Sequence, residues 1–92
     1  MPKFRTGKVF MTSGINYSLK EDKKFLNEIV TAFEKYLKGI WGDMCEEDKK
    51  ANDDAVVCGS RIVASYNTSK GKVYMITEYD RSYTTILFAK EY

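Results

Sequence analysis

Apolar and polar residues alternate along the last third of the chain in three short blocks. Arg61-Ile-Val-Ala-Ser-Tyr66, Lys72-Val-Tyr-Met-Ile-Thr-Glu78 and Tyr83-Thr-Thr-Ile-Leu-Phe88 are rich in β-branched and aromatic residues. Two polar clusters separate them, Asn67-Thr-Ser-Lys-Gly71 and Tyr79-Asp-Arg-Ser82. Strands of this length joined by short polar turns predict an antiparallel meander. Near the start, Lys8-Val-Phe-Met-Thr12 puts Val9 and Met11 on one face and Phe10 on the other. That pattern predicts a further strand pairing with the meander, ended by the turn residues Gly14 and Asn16.

Between these strands the period changes to that of a helix. Phe25, Leu26, Ile29, Val30, Phe33, Tyr36 and Leu37 form an apolar stripe repeating every 3.6 residues. Ser18-Leu-Lys-Glu21 reads as a capping box before it, Lys35 and Lys38 suit the negative helix end, and Gly39 suits a left-handed cap. These signals predict a helix over about residues 18–38. A second helix is expected over about 44–57, with Asp43 as N-cap, acidic residues in the first turns and an end near Gly59. Its few apolar residues predict a surface helix with a narrow buried stripe. Trp41, in the link between the helices, is expected to close the end of the core.

The expected architecture is one α+β domain over residues 1–92, ordered β-α-α-β-β-β. It is a small two-layer sandwich, an antiparallel sheet covered by two helices. The pattern does not decide which sheet face is buried, and an exposed second apolar face would be a candidate interface.

Composition narrows the chemistry. The chain has fifteen Lys and Arg against thirteen Asp and Glu, a net charge of +2, too balanced to signal nucleic-acid binding by itself. The charge is nevertheless uneven, since Asp43, Glu46, Glu47, Asp48, Asp53 and Asp54 face only Lys49 and Lys50 in the same stretch. No run approaches a membrane span, and Met1-Pro-Lys-Phe-Arg5 is not followed by the apolar core of a signal peptide, so the expected location is the cytoplasm. There is no histidine, which removes the commonest general base and the commonest metal ligand. If Cys45 and Cys58 share one helix, they are about 20 Å apart along its axis, too far for a disulfide, and read as reduced thiols. Phosphate loops and dinucleotide fingerprints are absent. No catalytic residue, metal site or cofactor is expected, and the chain does not read as an enzyme.

Two stretches stand out as surfaces for a partner. One is the turn carrying Glu78, Asp80 and Arg81, where Arg81 would offer a forked donor to carboxylate or phosphate. The plainer reading is an ordinary turn, with Asp80 bonding the backbone of Ser82 and Arg81 solvated or paired with an acidic neighbour. The other is the acidic helix, whose carboxylates would imitate a nucleic-acid backbone and enter a basic groove on another protein. Its plainer reading is a solvated face ordered by the helix dipole. The basic start, Lys3, Arg5 and Lys8 interleaved with Phe4 and Phe10, suits either nucleic-acid stacking or a charge-protected edge strand.

Several motifs occur together: Trp41-Gly-Asp43, Glu46-Glu-Asp-Lys49, Asn52-Asp53, Arg61-Ile62, Ala64-Ser-Tyr66, Ile76-Thr-Glu78, Asp80-Arg-Ser82, Thr84-Thr-Ile-Leu-Phe88 and Glu91-Tyr92. As a set, covering the chain from Gly7 onward, they resemble a family of small proteins of plasmids, conjugative elements and phages of Gram-positive bacteria. The chain differs from that pattern at Ser13, Tyr79 and Tyr83. The resemblance implies an accessory role in a mobile element. The expected function is then a non-catalytic anti-defence inhibitor, an anti-CRISPR protein, binding a CRISPR effector nuclease in the bacterial cytoplasm. Two alternatives stand beside it. One is a nucleic-acid-binding accessory factor for transfer or replication, using Lys3, Arg5, Lys8, Lys20, Lys23 and Lys24. The other is a homodimer formed through an open sheet edge or spare sheet face.

Overall fold

The computed structural model describes residues 2–92. Its elements are β1 (Lys8–Met11), α1 (Ser13–Glu21), α2 (Lys23–Leu37), α3 (Glu46–Cys58), β2 (Ile62–Thr68), β3 (Gly71–Thr77), β4 (Tyr83–Phe88) and a terminal 3-10 turn (Ala89–Glu91). The fold is α+β, with the expected C-terminal meander in place.

Three details depart from the sequence expectation. The sheet has the order β1-β4-β3-β2, and β1 runs parallel to β4, so the sheet is mixed rather than antiparallel. The expected first helix is two helices, giving three α-helices among the described residues. Asp22 divides them: its backbone is extended, its N–H donates to Ser18 O, and its Oδ1 accepts from the N–H groups of Lys24 and Phe25. Ser18 therefore lies inside α1 and makes no capping box. Gly14 and Asn16, expected in a turn, belong to α1, whose N-cap is Thr12. The reason is visible in the packing, because Ile15 is fully buried and a helix beginning at Ser13 is what carries it into the core. Finally, Cys45 rather than Asp43 occupies the N-cap of α3, without a side-chain bond.

One sheet face and the inner face of α2 make the core. Phe25, Ile29, Ala32 and Tyr36 meet Ile62, Ala64 and Tyr66 of β2, Val73 and Met75 of β3, and Ile86 and Phe88 of β4. Phe25 stacks on Phe88 at 5.7 Å. Trp41 is buried as expected and joins Phe4 and Tyr36 in an aromatic cluster, with Tyr36 5.8 Å from Trp41 and 5.2 Å from Phe4. Such edge-on contacts add to the area term in a core this small. On the opposite sheet face, Ile76 and Leu87 are also buried, and Tyr92 lies edge-on to Tyr74 at 5.7 Å.

Candidate functional site

The two outer strands end in opposite ways. β2 is closed by side chains and by a loop. The Asn52 amide donates to Val63 O at 2.8 Å and accepts from Val63 N–H at 3.2 Å. Further along, Asp43 N–H donates to Ser65 O at 2.8 Å, and the Ser65 hydroxyl donates to Asp43 O at 2.6 Å. Gly42 bridges to Ser65 with φ near 80°, where an added Cβ would collide with the Ser65 carbonyl. Asp43 also accepts from Asn67 Nδ2 at 3.0 Å and lies 3.8 Å from Lys72 Nζ. Asp53 accepts from Trp41 Nε1 at 2.8 Å. Asp43 and Asp53, read as partner-binding carboxylates, thus hold the Trp41–Asp43 loop and α3 against the sheet.

The Glu78–Ser82 turn is also occupied internally. Asp80 accepts from the hydroxyl and backbone N–H of Ser82, and these bonds, the hydroxyl first, hold its carboxyl below the usual range. Arg81 sits in the left-handed region at φ 59°. Its guanidinium donates to four carbonyls, Ser60 O at 2.7 Å, Ala55 O at 3.0 Å, Glu78 O at 3.0 Å and, more distantly, Tyr79 O at 3.5 Å. Ala55 lies in the last turn of α3 and Ser60 just beyond its Gly59 cap, where the negative dipole end favours a cation. Arg81 is therefore half-buried, with no acidic partner among the described residues, and its fork is taken up by backbone. Glu78 lies 3.6 Å from Arg61, whose own pKa is raised first by a hydrogen bond with Tyr92.

The remaining four candidates all lie on α3. Glu46 is exposed and loosely paired with Lys49 at 3.7 Å. Glu47, Asp48 and Asp54 are exposed and make no hydrogen bond or ion pair with other described residues through their side chains. α3 buries Asn52 and Ala55, so Glu47 and Asp54 point away from the sheet, with Lys50 between them and Val57 beyond. Asp48, one turn before Asn52 on the sheet-facing stripe, is exposed at the start of the helix, where it joins Cys45, Lys72, Tyr74 and Tyr92 around a shallow groove of about 390 Å³. Cys45 and Cys58 are exposed free thiols at the two ends of this helix.

The basic residues do not form one face. Lys3 donates its N–H to Leu37 O at the end of α2, whereas Lys23 and Lys24 open that helix, roughly 20 Å away.

Sequence reasoning offered an open sheet edge as a possible contact without locating it, and the structure puts an apolar surface at the β1 edge. All four residues of β1 are exposed, and Val9 and Met11 line an open groove of about 290 Å³ with Leu19, Leu26, Val30 and Phe33. On the other face Phe10 lies edge-on to Tyr83 at 5.9 Å. The signal was present in the α2 stripe. Neighbouring apolar pairs at 25/26, 29/30 and 36/37 make it wider than one buried face needs.

Groups with strongly shifted protonation lie in the core. Burial pushes Tyr36 up to about 12, partly offset by its bond to Thr77, and burial also pushes Tyr66 up. Their hydroxyls bond Thr77 Oγ1 and Ile40 O. Among the described residues no three His, Cys, Asp or Glu side chains are grouped to hold a metal ion. No helix is long and apolar enough to cross a membrane. Comparisons with protein-family models, curated proteins and solved structures find no match to the chain.

Proposed function

We propose that this protein is a non-catalytic binding protein that acts through the outer face of α3, and that its target is a nucleic-acid-handling enzyme of host defence, a CRISPR effector nuclease. One observation carries the choice of surface. Of nine candidate side chains, Asp43, Asp53 and Arg81 bond other parts of the fold, Asp80 bonds Ser82 within its own turn and Glu78 pairs with Arg61, whereas Glu46, Glu47, Asp48 and Asp54, all on α3, remain directed at solvent or weakly paired. An exposed row of carboxylates fits a groove built for phosphates, since both present negative charge to Lys and Arg. The identity of the target rests on the resemblance to mobile-element proteins.

The test is affinity capture from a lysate of a defence-bearing Gram-positive host, with and without nuclease treatment, followed by a cleavage assay of what is captured. The expected result is an effector nuclease retained after nuclease treatment and inhibited by excess protein, with inhibition lost in Glu47→Lys/Asp54→Lys. Full cleavage in the presence of excess protein overturns the reading. Capture of DNA or RNA alone, weakening steeply with salt, replaces it with the nucleic-acid accessory role.

A further inference from the structure

The contrast between the two sheet edges leads to a second surface, independent of α3. β2 is covered by Asn52 and Asp43, whereas β1 carries one charge, Lys8, and among the described residues no side chain bonds its outer edge. Exposed edges are normally blunted, because their free N–H and C=O groups pair with any strand that reaches them.

We propose that two copies of this chain pair antiparallel through β1, making one continuous eight-stranded sheet. The backbone fixes the register. Lys8 N–H donates to Ser82 O and Thr12 N–H donates to Ile86 O, so residues 8, 10 and 12 turn their backbone groups toward β4. By alternation, Val9 and Met11 turn both of theirs outward. Setting Val9 opposite Met11 of a second copy, and Met11 opposite its Val9, joins all four outward groups of each strand in hydrogen-bonded pairs. The same register sets Phe10 opposite Phe10 of the second copy as a non-hydrogen-bonded pair, the closer of the two spacings. A two-fold axis normal to the sheet at Phe10 keeps the helices of both copies on one side, where Leu26 and Val30 extend the contact.

The exposed area suits a second copy. Val9, Phe10, Met11, Leu26, Val30 and Tyr83 are each 40–52% exposed. With roughly 150–250 Å² for a large side chain, the patch is on the order of 500 Å². Two copies would bury about 1,000 Å², at the lower bound for a specific interface and in the class of weak, transient contacts. The dimer would carry its two α3 helices at opposite ends of the sheet, so self-association leaves both acidic faces open.

Sedimentation of the whole chain over a range of concentrations tests the association. The expected mass rises from one chain toward two, and Phe10→Asp/Val30→Lys keeps it at one. Cross-linking tests the register in a Cys45→Ser/Cys58→Ser background. Opposed non-hydrogen-bonded residues lie about 4.5 Å apart at Cα, within disulfide reach. Phe10→Cys is therefore expected to cross-link in a mild redox buffer, and Val9→Cys to cross-link far less. A chain that stays monomeric at about millimolar concentration overturns the proposal and leaves the edge to a foreign strand. Preferential cross-linking of Val9→Cys overturns the register.

Discussion

Asn52 bonds Val63 as a neighbouring strand would, donating to its carbonyl and accepting from its N–H. A helix side chain thereby completes the ladder at an edge where β2 has no strand partner. Because Asn52 is buried, removing it leaves both backbone groups short of partners. Asn52→Ala is expected to lower unfolding free energy by about 2–3 kcal/mol. Asn52→Asp is expected to be worse at neutral pH, since a carboxylate brings no proton to the Val63 carbonyl, and to recover in acid as the carboxyl protonates. Urea titration followed by the single, buried Trp41 measures both.

A row of hydroxyls behind the sheet has a fixed direction. Thr84 donates to Thr6 O at 2.8 Å, so its single proton is committed. Thr77 must then donate to Thr84, 2.7 Å away, and Tyr36 to Thr77, 2.6 Å away. The two ends of this row are therefore unequal. Tyr36→Phe removes only the first donor and is expected to cost about 1 kcal/mol. Thr84→Val strands the Thr77 proton and the Thr6 carbonyl together, with an expected cost of about 2–3 kcal/mol. The ranking, read from denaturant midpoints at equal slope, checks the direction; equal costs would contradict it.

The meander and the buried face of α2 were legible because burial on one side imposes a period on the sequence. Tyr36, Phe25 and Trp41 fell where that pattern put them. The break at Asp22 was not, although Asp22 stands three residues before Phe25, because Ser18-Leu-Lys-Glu21 offers an equally good local cap. Burial of Ile15, a contact made far along the chain with the sheet, decided between them. Parallel pairing of β1 was illegible for the same reason, since strand direction follows from where two helices return the chain. The acidic residues of α3 could be seen, but not which of them bond internally. Asp53 and Asp54 are neighbours in sequence, yet one holds the Trp41 indole and the other faces solvent.

Stability is expected to fall in alkali through Tyr36. Its pKa is raised from 10.0 to about 12 in the folded chain, so the fold favours the neutral phenol. The contribution is complete below the unfolded value of 10.0 and declines as pH rises toward about 12, because the unfolded chain ionises first. At about 1.4 kcal/mol per unit, the loss is on the order of 2–3 kcal/mol. Tyr66, shifted upward by burial, acts in the same direction. Urea midpoints at about pH 9 and about pH 11.5 should show the decline, and Tyr36→Phe should make it shallower, leaving the part due to Tyr66. A wild-type midpoint constant across that range would contradict the assignment.

Arg81 and Asp54 should separate stability from binding. Arg81 reaches four carbonyls at once, and a lysine brings charge to that place but only a point donor. Arg81→Lys is expected to cost about 1–2 kcal/mol, and Arg81→Ala more, because the α3 C-terminus and the Glu78–Ser82 turn lose their common tie. Asp54 lies in the second half of α3, exposed and without an ion pair, where a cation suits the dipole better than an anion. Asp54→Lys is expected to leave stability unchanged or raise it by a few tenths of a kcal/mol. In the capture assay it is expected to weaken the partner, while Arg81→Lys, measured well below its melting temperature, binds as the wild type does. The reverse pattern, binding lost with Arg81→Lys and kept with Asp54→Lys, would move the working surface from α3 to the turn.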